Sequence, residues 1–280
     1  MRYPAVAGKF YPLDRDALVA ELNWCFSGEQ GPGLPGRSSG ERDIAAIMAP
    51  HAGYRASGMN AAFAYKEVAE DGLPEAYIVI GPDHYGVPFD YVMCSEPYVT
   101  PLGECRIHNE IAGRLSELIP NSPNAHLREH SVEVQVPFIQ FIDPDARIVP
   151  IIMSRQDQSH AERLASAVRS ACEGHDVIVV ASSDLSHYIP KQEASRLDNG
   201  LLDDIAALDV PSMYRRVHGM KMSVCGYGPV AAAILATNPA RADILRYSDS
   251  WDSLGYDPTA VVGYGSVAFR KEKSRSGAQR

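Results

Sequence analysis

The feature that most constrains the fold of this chain is a series of short apolar runs that alternate with segments of helical periodicity. Residues 176–181 contain the β-branched run VIVV, which is typical of a central strand buried on both faces. The predicted strands are 44–49, 76–80, 91–94, 147–153, 176–181, 242–247 and 261–269, and the predicted helices are 14–26, 57–70, 108–118, 131–141, 161–172, 193–207 and 229–236. This alternation predicts an α/β fold with a central mixed, largely parallel sheet flanked by helices.

Residues 28–42, GEQGPGLPGRSSGER, predict an exposed loop between the first helix and the first core strand. The segment before this loop is too short to form a core of its own. We therefore expect one α/β domain over residues 1–270. The remaining residues, 271–280, are polar and basic and predict a frayed tail.

The charge and the apolar pattern exclude several classes of partner. A net charge of −9 argues against a sequence-independent nucleic-acid binder, because that role needs a basic surface. No run approaches the roughly 20 apolar residues that cross a bilayer, and the first residues lack the order of a signal peptide. We expect a cytoplasmic protein with no nucleic-acid or membrane partner. The 5 cysteines include no CxxC pair, so neither a disulfide framework nor a zinc knuckle is predicted.

Polar residues that could carry chemistry follow three of the predicted strands. His51 lies in PHAGY, Asp83 and His84 lie in GPDHYG, and Asp184 and His187 lie in SSDLSHY. In open α/β sheets, ligands bind beyond the carboxyl ends of the strands. A single histidine after a strand is often only a turn residue or a helix cap, but three such strand ends in one chain favour a shared metal-binding or catalytic pocket.

Two further segments are candidates for the same pocket. In REHSVEVQVPF, Glu129, His130 and Glu133 precede an apolar run, and they could belong either to the site or to a helix start capped by Ser131. Cys225 lies in the glycine-rich SVCGYGP before a predicted helix, where a thiolate is expected to be stabilised. A lone cysteine is otherwise a small buried residue.

Imidazole, carboxylate and thiolate together suit iron, zinc, copper or nickel. His187 could then act as a general base or proton donor, with Asp184 orienting it or a metal ligand. The alternative without a metal is nucleophilic catalysis by Cys225 with His187 as its base. The remaining histidines are predicted to be in helical or polar surface contexts without a role, namely His108, His126, His160, His175 and His218.

The ordered motifs resemble those of the Memo family, known in prokaryotes as protein B of the AmmeMemoRadiSam system. The resemblance covers nearly the whole chain through RYPAVAGKFYP, PHAGY, GPDHYG, EHSVEVQVPF, SSDLSHY and the cysteine before a glycine-rich helix start. That family is similar in fold to the catalytic subunit of class III non-haem iron extradiol dioxygenases. The resemblance thus implies an α/β sandwich with a metal site at the edge of the sheet.

The resemblance also implies roles for individual residues. His51 and His84 match the two histidine ligands, and Cys225 matches the position where Memo proteins carry cysteine and the dioxygenases carry glutamate. His187 matches the acid/base histidine beside the metal, and Asp184 lines the same pocket. Because a thiolate alters the potential of iron and is itself oxidisable, the cysteine weakens the implication of ring cleavage.

Two residues complete the predicted pocket: His130, which lies near the site in the family pattern, and Asp83, which precedes His84. The implied cofactor is a transition metal, Fe(II) first and copper second. The expected function is a metal-dependent oxidoreductase of dioxygenase type that acts on an unidentified small molecule. The alternative is an adaptor that retains the pocket and binds a peptide or protein partner. A functional link to the other AmmeMemoRadiSam proteins is also implied.

Overall fold

The computed structural model describes residues 1–36, 38 and 42–272. The strands are β1 (Ile44–Ala49), β2 (Ala76–Pro82), β3 (Tyr91–Met93), β4 (Tyr98–Thr100), β5 (Gly103–Ile107), β6 (Arg147–Met153), β7 (Val177–Ser182), β8 (His187–Ile189), β9 (Arg241–Asp249) and β10 (Val261–Arg270). The helices are α1 (Arg15–Ser27), α2 (Met59–Asp71), α3 (Asn109–Ser116), α4 (Pro123–His126), α5 (Gln135–Ile142), α6 (Gln158–Ala171), α7 (Lys191–Ala206), α8 (Val210–Gly219), α9 (Tyr227–Thr237) and α10 (Ser250–Leu254). A π-helical turn, Tyr54–Gly58, leads into α2.

In the described part of the chain, the strands form one sheet of 10 strands in the order β4-β5-β6-β2-β7-β1-β10-β8, while β3 pairs with β6 and β9 with β10. Neighbouring strands from β5 to β1 run parallel, and the outer pairings are antiparallel. The predicted fold class, a mixed α/β sheet flanked by helices, is confirmed. Because β1, β2 and β7 are parallel, their carboxyl ends meet at one edge of the sheet.

The central strands owe their position to their apolar sequences. Every residue of β1 and β2 is buried, which matches the expectation for a parallel strand covered on both faces. Helix α2 packs with α1 and α5 and contacts β1 and β10, while α9 packs with α6 and α8 and contacts β7, β1 and β2. Helix α1 begins after Asp14, whose side chain accepts a hydrogen bond from the N–H of Ala17.

Two local predictions are corrected by the structure. The helix predicted over 131–141 begins only at Gln135, so Ser131 is not its cap. The hydroxyl of Ser131 donates instead to the carbonyl of Pro82, and the side chain of Glu133 is fully buried. The short strands β4, β5 and β8 and the helices α4, α8 and α10 were not predicted from the apolar pattern.

The division into a domain of residues 1–270 and a tail of 271–280 stays a prediction. Residues 273–280 of that tail, and residues 37 and 39–41 of the predicted loop, lie outside the described residues. None of the helices in the described part of the chain combines the length and apolar character that a membrane span requires.

Candidate metal centre

The carboxyl edge of the sheet brings three of the predicted residues together. His51 follows β1, His84 follows β2, and Cys225 lies in the turn before α9. One ligand atom from each residue lies within 4.8 Å of the others. The sulfur of Cys225 is 3.3 Å from Nε2 of His51, close to the separation of about 3.5 Å between a sulfur and a nitrogen ligand on a tetrahedral zinc ion.

The hydrogen bonds of Ser182 determine which nitrogen of His51 is free. The Ser182 hydroxyl donates its one proton to the carbonyl of Ser131, at 2.6 Å, and accepts from the amide of Gln135 at 2.7 Å. Nδ1 of His51, 2.8 Å from the same oxygen, must therefore be the donor of that bond. Nε2 keeps its lone pair and faces Cys225. Burial lowers the pKa of His51 well below its usual value, so this ring is neutral.

The Glu129 carboxylate orients His84 in a similar way. Nδ1 of His84 lies 2.9 Å from Oε1 of Glu129, and the backbone N–H of His84 donates to Oε2 at 2.7 Å. Burial opposes ionisation of Glu129, but hydrogen bonds from His84 and from the backbone of Ser131 lower the pKa of the carboxyl to about 2. An ionised Glu129 makes Nδ1 the donor and leaves Nε2 of His84 free for a metal ion.

The environment of His84 differs from that of His51 in one respect. Its side chain is 29% exposed, whereas His51 is 1% exposed. Burial opposes protonation of His84, but the Glu129 carboxylate outweighs it and raises the pKa of the ring. A metal ion at Nε2 of His84 therefore competes with a proton.

Hydrogen bonds from neighbouring loops hold Cys225 in its turn. The amide of Gln156 donates to the Cys225 carbonyl at 2.7 Å, and its oxygen accepts from the N–H of Gly228 at 2.8 Å. The backbone N–H of Asp184 lies 3.1 Å from the sulfur, and Oδ1 of Asp184 accepts from the N–H of His51 at 2.8 Å. Asp184 thus ties the loop that carries His51 to the loop that carries Cys225.

The expected stabilisation of the Cys225 thiolate by the following helix is wrong. Desolvation, and then the nearby Asp184 carboxyl, raise the pKa of the Cys225 thiol well above its usual value. These two effects outweigh the hydrogen bonds from the backbone of Asp184 and from Ser183, which lower it. A bound cation would make the thiolate favourable here, so the shift favours a metal ligand over a metal-free nucleophile.

His187 lies at the start of β8, close enough for its charge to act on the pKa values of His51 and Asp184. Its Nδ1 is 2.8 Å from the carbonyl of Ser223 and must donate to it, so in the neutral ring the lone pair is on Nε2. The segment from Asp184 to His187 is not helical, and the carboxylate of Asp184 bonds the backbone of His51 and Ala52. Burial raises the pKa of Asp184, while these N–H groups and the nearby His187 oppose the rise.

His130 lies beside the three candidate ligands and has an unused nitrogen. Its ring stacks on His84, with centroids 4.4 Å apart, and meets the edge of Phe10 at 4.9 Å. Its buried Nδ1 has no hydrogen-bond partner among the described residues. The side chain lies 3.5 Å from Glu129, and His84, Glu129 and His130 form a second group of closely spaced ligand atoms. The structure thus brings His130 to the site.

Asp83 has a local role in the loop after β2. Its carboxylate accepts hydrogen bonds from the backbone N–H groups of Tyr85, Gly86 and Val87, and from the hydroxyl of Ser154. These four donors occupy both oxygens and close the loop that positions the neighbouring histidine. The assignment of Asp83 to the pocket stays a prediction.

Sequence reasoning missed several residues that orient the candidate ligands. Ser182 and Gln135 fix His51, while Ser223 fixes His187 and Gln156 fixes the turn of Cys225. Gln135 could have been identified from the sequence, because a polar residue within an apolar run is usually buried with it and then needs hydrogen-bond partners. The contributions of Ser223 and Gln156 depend on loops that meet only in the folded chain.

Fold and site together define the class: a mixed α/β protein whose parallel strand ends carry a two-histidine, one-cysteine group that could hold a metal ion. The sequence profile of the family described as Memo-like protein matches residues 2–268, and the chain belongs to this family. The resemblance seen in the motifs is thereby confirmed.

Individual relatives agree with the family assignment. A MEMO1 family protein of Methanothermobacter thermautotrophicus is 41% identical over 277 residues, covering 96% of this chain and 100% of the relative. Another of Methanopyrus kandleri is 38% identical over 281 residues, covering 96% and 99%. The crystal structure of an uncharacterised protein of Escherichia coli K12 is similar with a TM-score of 0.55 at 13% identity, covering 79% of this chain and 99% of that one. At this identity the last similarity shows the fold alone.

Proposed function

We propose that this protein binds one transition-metal ion through His51, His84 and Cys225 and uses it in a redox reaction on a small molecule. One observation carries the proposal. In His51 and His84, Nδ1 donates a hydrogen bond to Ser182 and to Glu129 respectively. The lone pair of each Nε2 is therefore available beside a cysteine sulfur. Metal-binding histidines usually have their second nitrogen fixed in this manner.

The donor set fits a divalent transition metal. Two imidazoles and one thiolate bring a single negative charge, and sulfur favours softer or redox-active ions over magnesium or calcium. The raised pKa of Cys225 fits as well, because a cation supplies the charge that the thiolate lacks. When bound, such an ion supplies Lewis acidity and one-electron redox chemistry. We propose Fe(II) as the resident ion, with copper as its competitor.

His187 is the group that we propose to move a proton. Its Nε2 is free because Ser223 holds Nδ1, and the backbone N–H of His187 also donates to the Ser223 hydroxyl at 2.7 Å. A neutral imidazole held in this way can accept a proton from a substrate hydroxyl or thiol. The proposed role of Asp184 is to keep the loop of His51 and the sulfur of Cys225 together.

The test is an elemental analysis of the protein purified without oxygen. We expect close to one equivalent of iron or copper in the unmodified chain, and a loss of most of it in Cys225→Ser. Cys172→Ser is the matched control, because Cys172 is a partly buried free cysteine that belongs to none of the ligand groups. His187→Gln is expected to keep the metal, since the proposal assigns His187 to proton transfer.

The outcomes separate the two expected functions. If neither the unmodified protein nor Cys225→Ser takes up iron, copper or zinc after anaerobic reconstitution, the metal proposal fails and the adaptor alternative is favoured. If Cys225→Ser keeps its metal, the sulfur is not a ligand and the proposed donor set is wrong.

A further inference from the structure

We propose that the opposite edge of the same sheet carries a second metal site, formed by Glu75, His108 and His175, which takes a divalent ion of the zinc type. Glu75 immediately precedes β2, His108 follows β5 and caps α3, and His175 lies before β7. One ligand atom from each lies within 4.8 Å of the others. Because β2 spans 7 residues, this cluster is about 20 Å from the first site.

The two imidazoles point at one carboxylate. Nε2 of His108 is 2.9 Å from Oε1 of Glu75, and Nδ1 of His175 is 3.1 Å from each of the two oxygens. The ring centroids are 5.0 Å apart, with an angle of 72° between the rings. Two ligand atoms on a tetrahedral zinc ion are separated by about 3.3 Å. The distances from Glu75 to the two histidine nitrogens already match this value to within a few tenths of an ångström, and the two nitrogens lie within 4.8 Å of each other.

An outer carboxylate supports His175. Nε2 of this ring lies 3.5 Å from Oε1 of Glu110, which also receives a hydrogen bond from Arg114 at 2.7 Å. With Nδ1 bound to an ion, the proton of His175 resides on Nε2 and faces Glu110. A second carboxylate in this position is the common outer partner of a zinc-bound histidine.

The site carries a cost at His108. Nδ1 of His108 accepts the N–H of Ile111 at 3.3 Å, and this bond caps α3. An ion at Nε2 transfers the ring proton to Nδ1 and removes the bond. The bond is long and therefore weak, so its loss reduces the affinity by up to about tenfold. The site remains a histidine pair with a carboxylate, a set that zinc commonly uses.

The cluster is accessible from solvent. Glu75, His108 and Glu110 line a surface cavity of about 510 Å³ together with Arg106 and Arg147. The Glu75 side chain is 41% exposed, whereas the His108 side chain is 5% exposed. An ion can enter from the Glu75 side and keep water in the open position. It would join segments that are 33 and 100 residues apart in sequence, so we assign it a structural role.

The test is a titration of the metal-free full-length chain with zinc(II) alone, followed by calorimetry. We expect two zinc ions per unmodified chain, one per chain in His175→Gln and one in His51→Ala. His160→Gln is the matched control: that ring also lies between two carboxylates, Asp157 and Asp90, but belongs to none of the ligand groups, so two ions are expected.

Two further measurements keep the test decisive. Glu75→Gln changes a side chain that is 41% exposed, and it should also bind one ion while its metal-free circular dichroism is unchanged. In His51→Ala, zinc should raise the thermal midpoint, and the added His175→Gln change should abolish that rise. If His175→Gln and Glu75→Gln both bind two ions, the second site is overturned. If only His51→Ala keeps both ions, the first site fails and this one stands.

Discussion

The two ends of the sheet carry histidine clusters of similar size that differ in where their protons point. At the carboxyl end, Nδ1 of His51 and of His84 donates away from the cluster, to Ser182 and Glu129. At the amino end, the acceptor is Glu75, and it lies between the rings where an ion would sit. The first cluster is thus arranged for a metal in advance, whereas the second must exchange protons for one. The direction of the hydrogen bonds therefore distinguishes the two clusters, although the distances between their ligand atoms do not.

The two ends also differ in the burial of their carboxylates. Glu129 and Glu133 are buried beneath the carboxyl end, while Glu75 at the amino end is largely exposed. A buried carboxylate that loses its charge leaves its partners unsatisfied, and an exposed one is replaced by water. Mutations of matched carboxylates should reveal this difference.

The largest expected effect is a loss of folding stability in Glu133→Gln. Glu133 forms an ion pair with Arg2 at 2.5 Å, with both side chains fully buried, and accepts a hydrogen bond from the hydroxyl of Tyr11 at 2.6 Å. The change leaves Arg2 as a buried unpaired charge and should lower the free energy of unfolding by about 3–5 kcal/mol. Urea denaturation of the metal-free protein measures it.

The control for this prediction is Glu75→Gln at the amino end. This exposed carboxylate should change the free energy of unfolding by less than about 0.5 kcal/mol in the absence of metal. Equal losses in Glu133→Gln and Glu75→Gln would break the proposed contrast between the two ends.

A second effect concerns His126, a histidine that belongs to neither cluster. Its Nδ1 accepts from the Tyr98 hydroxyl at 2.8 Å, and its Nε2 donates to the Val92 carbonyl at 3.1 Å. Burial lowers the pKa of His126 to about 4. The unfolded chain, with a histidine pKa of about 6.5, binds a proton first as the pH falls. The contribution of neutral His126 to the free energy of unfolding is therefore complete above that value. It decreases towards pH 4, by on the order of 3 kcal/mol.

His126→Gln should remove this part of the pH dependence, because glutamine can bond both partners without titrating. The free energy of unfolding at several pH values between 7 and 4 measures the slope. His218→Gln, at an exposed histidine, should leave the slope as it is. An unchanged slope in His126→Gln would show that filling both nitrogens does not keep a ring neutral.

The smallest of the three effects tests the orientation of His51. Ser182→Ala removes the acceptor of its Nδ1 proton and should weaken metal binding at the carboxyl end about 10–100-fold. Ser182→Thr keeps the hydroxyl and should restore most of the affinity. Competition with a chelator of known affinity measures both, and zinc binding at the amino end should not change.

Ser266→Ala is the matched control, since Ser266 is a fully buried serine of the same sheet whose hydroxyl donates to the carbonyl of Asn60 in α2. If Ser182→Ala and Ser266→Ala bind metal equally well, hydrogen-bond direction is not what prepares the carboxyl end.

The sequence predicted the parts of the molecule that depend on local periodicity. The limits of β6 match the predicted 147–153, and His51 and His84 were placed at strand ends because parallel strands align their carboxyl termini. Cys225 was a candidate for the same pocket because it lies in a glycine-rich turn before a helix, but only the family resemblance matched it with the two histidines as a third ligand. The structure brings these three residues together.

The predictions that failed have a common physical cause. His108 and His126 were predicted to be at the surface, yet both are buried. Their partners, Glu75 and Tyr98, come from other segments, and sequence patterns do not reveal such pairs. Glu133 resembled a first-turn residue of a helix for the same reason, because its ion-pair partner lies near the start of the chain.

The pairing of Glu133 with the first residues of the chain has a consequence for biosynthesis. Glu133 accepts hydrogen bonds from the N–H groups of Ala5 and Val6, which precede it by 128 and 127 positions. During translation these residues leave the ribosome before Glu133 and cannot take their final place until the segment around Glu133 has emerged. At an elongation rate of about 5–20 residues per second, this leaves the early segment without its partners for many seconds. The segment around Ala5 and Val6 is therefore fixed only after Glu133, 127 positions beyond Val6, has been synthesised, and we expect it to be open to chaperone binding in the meantime.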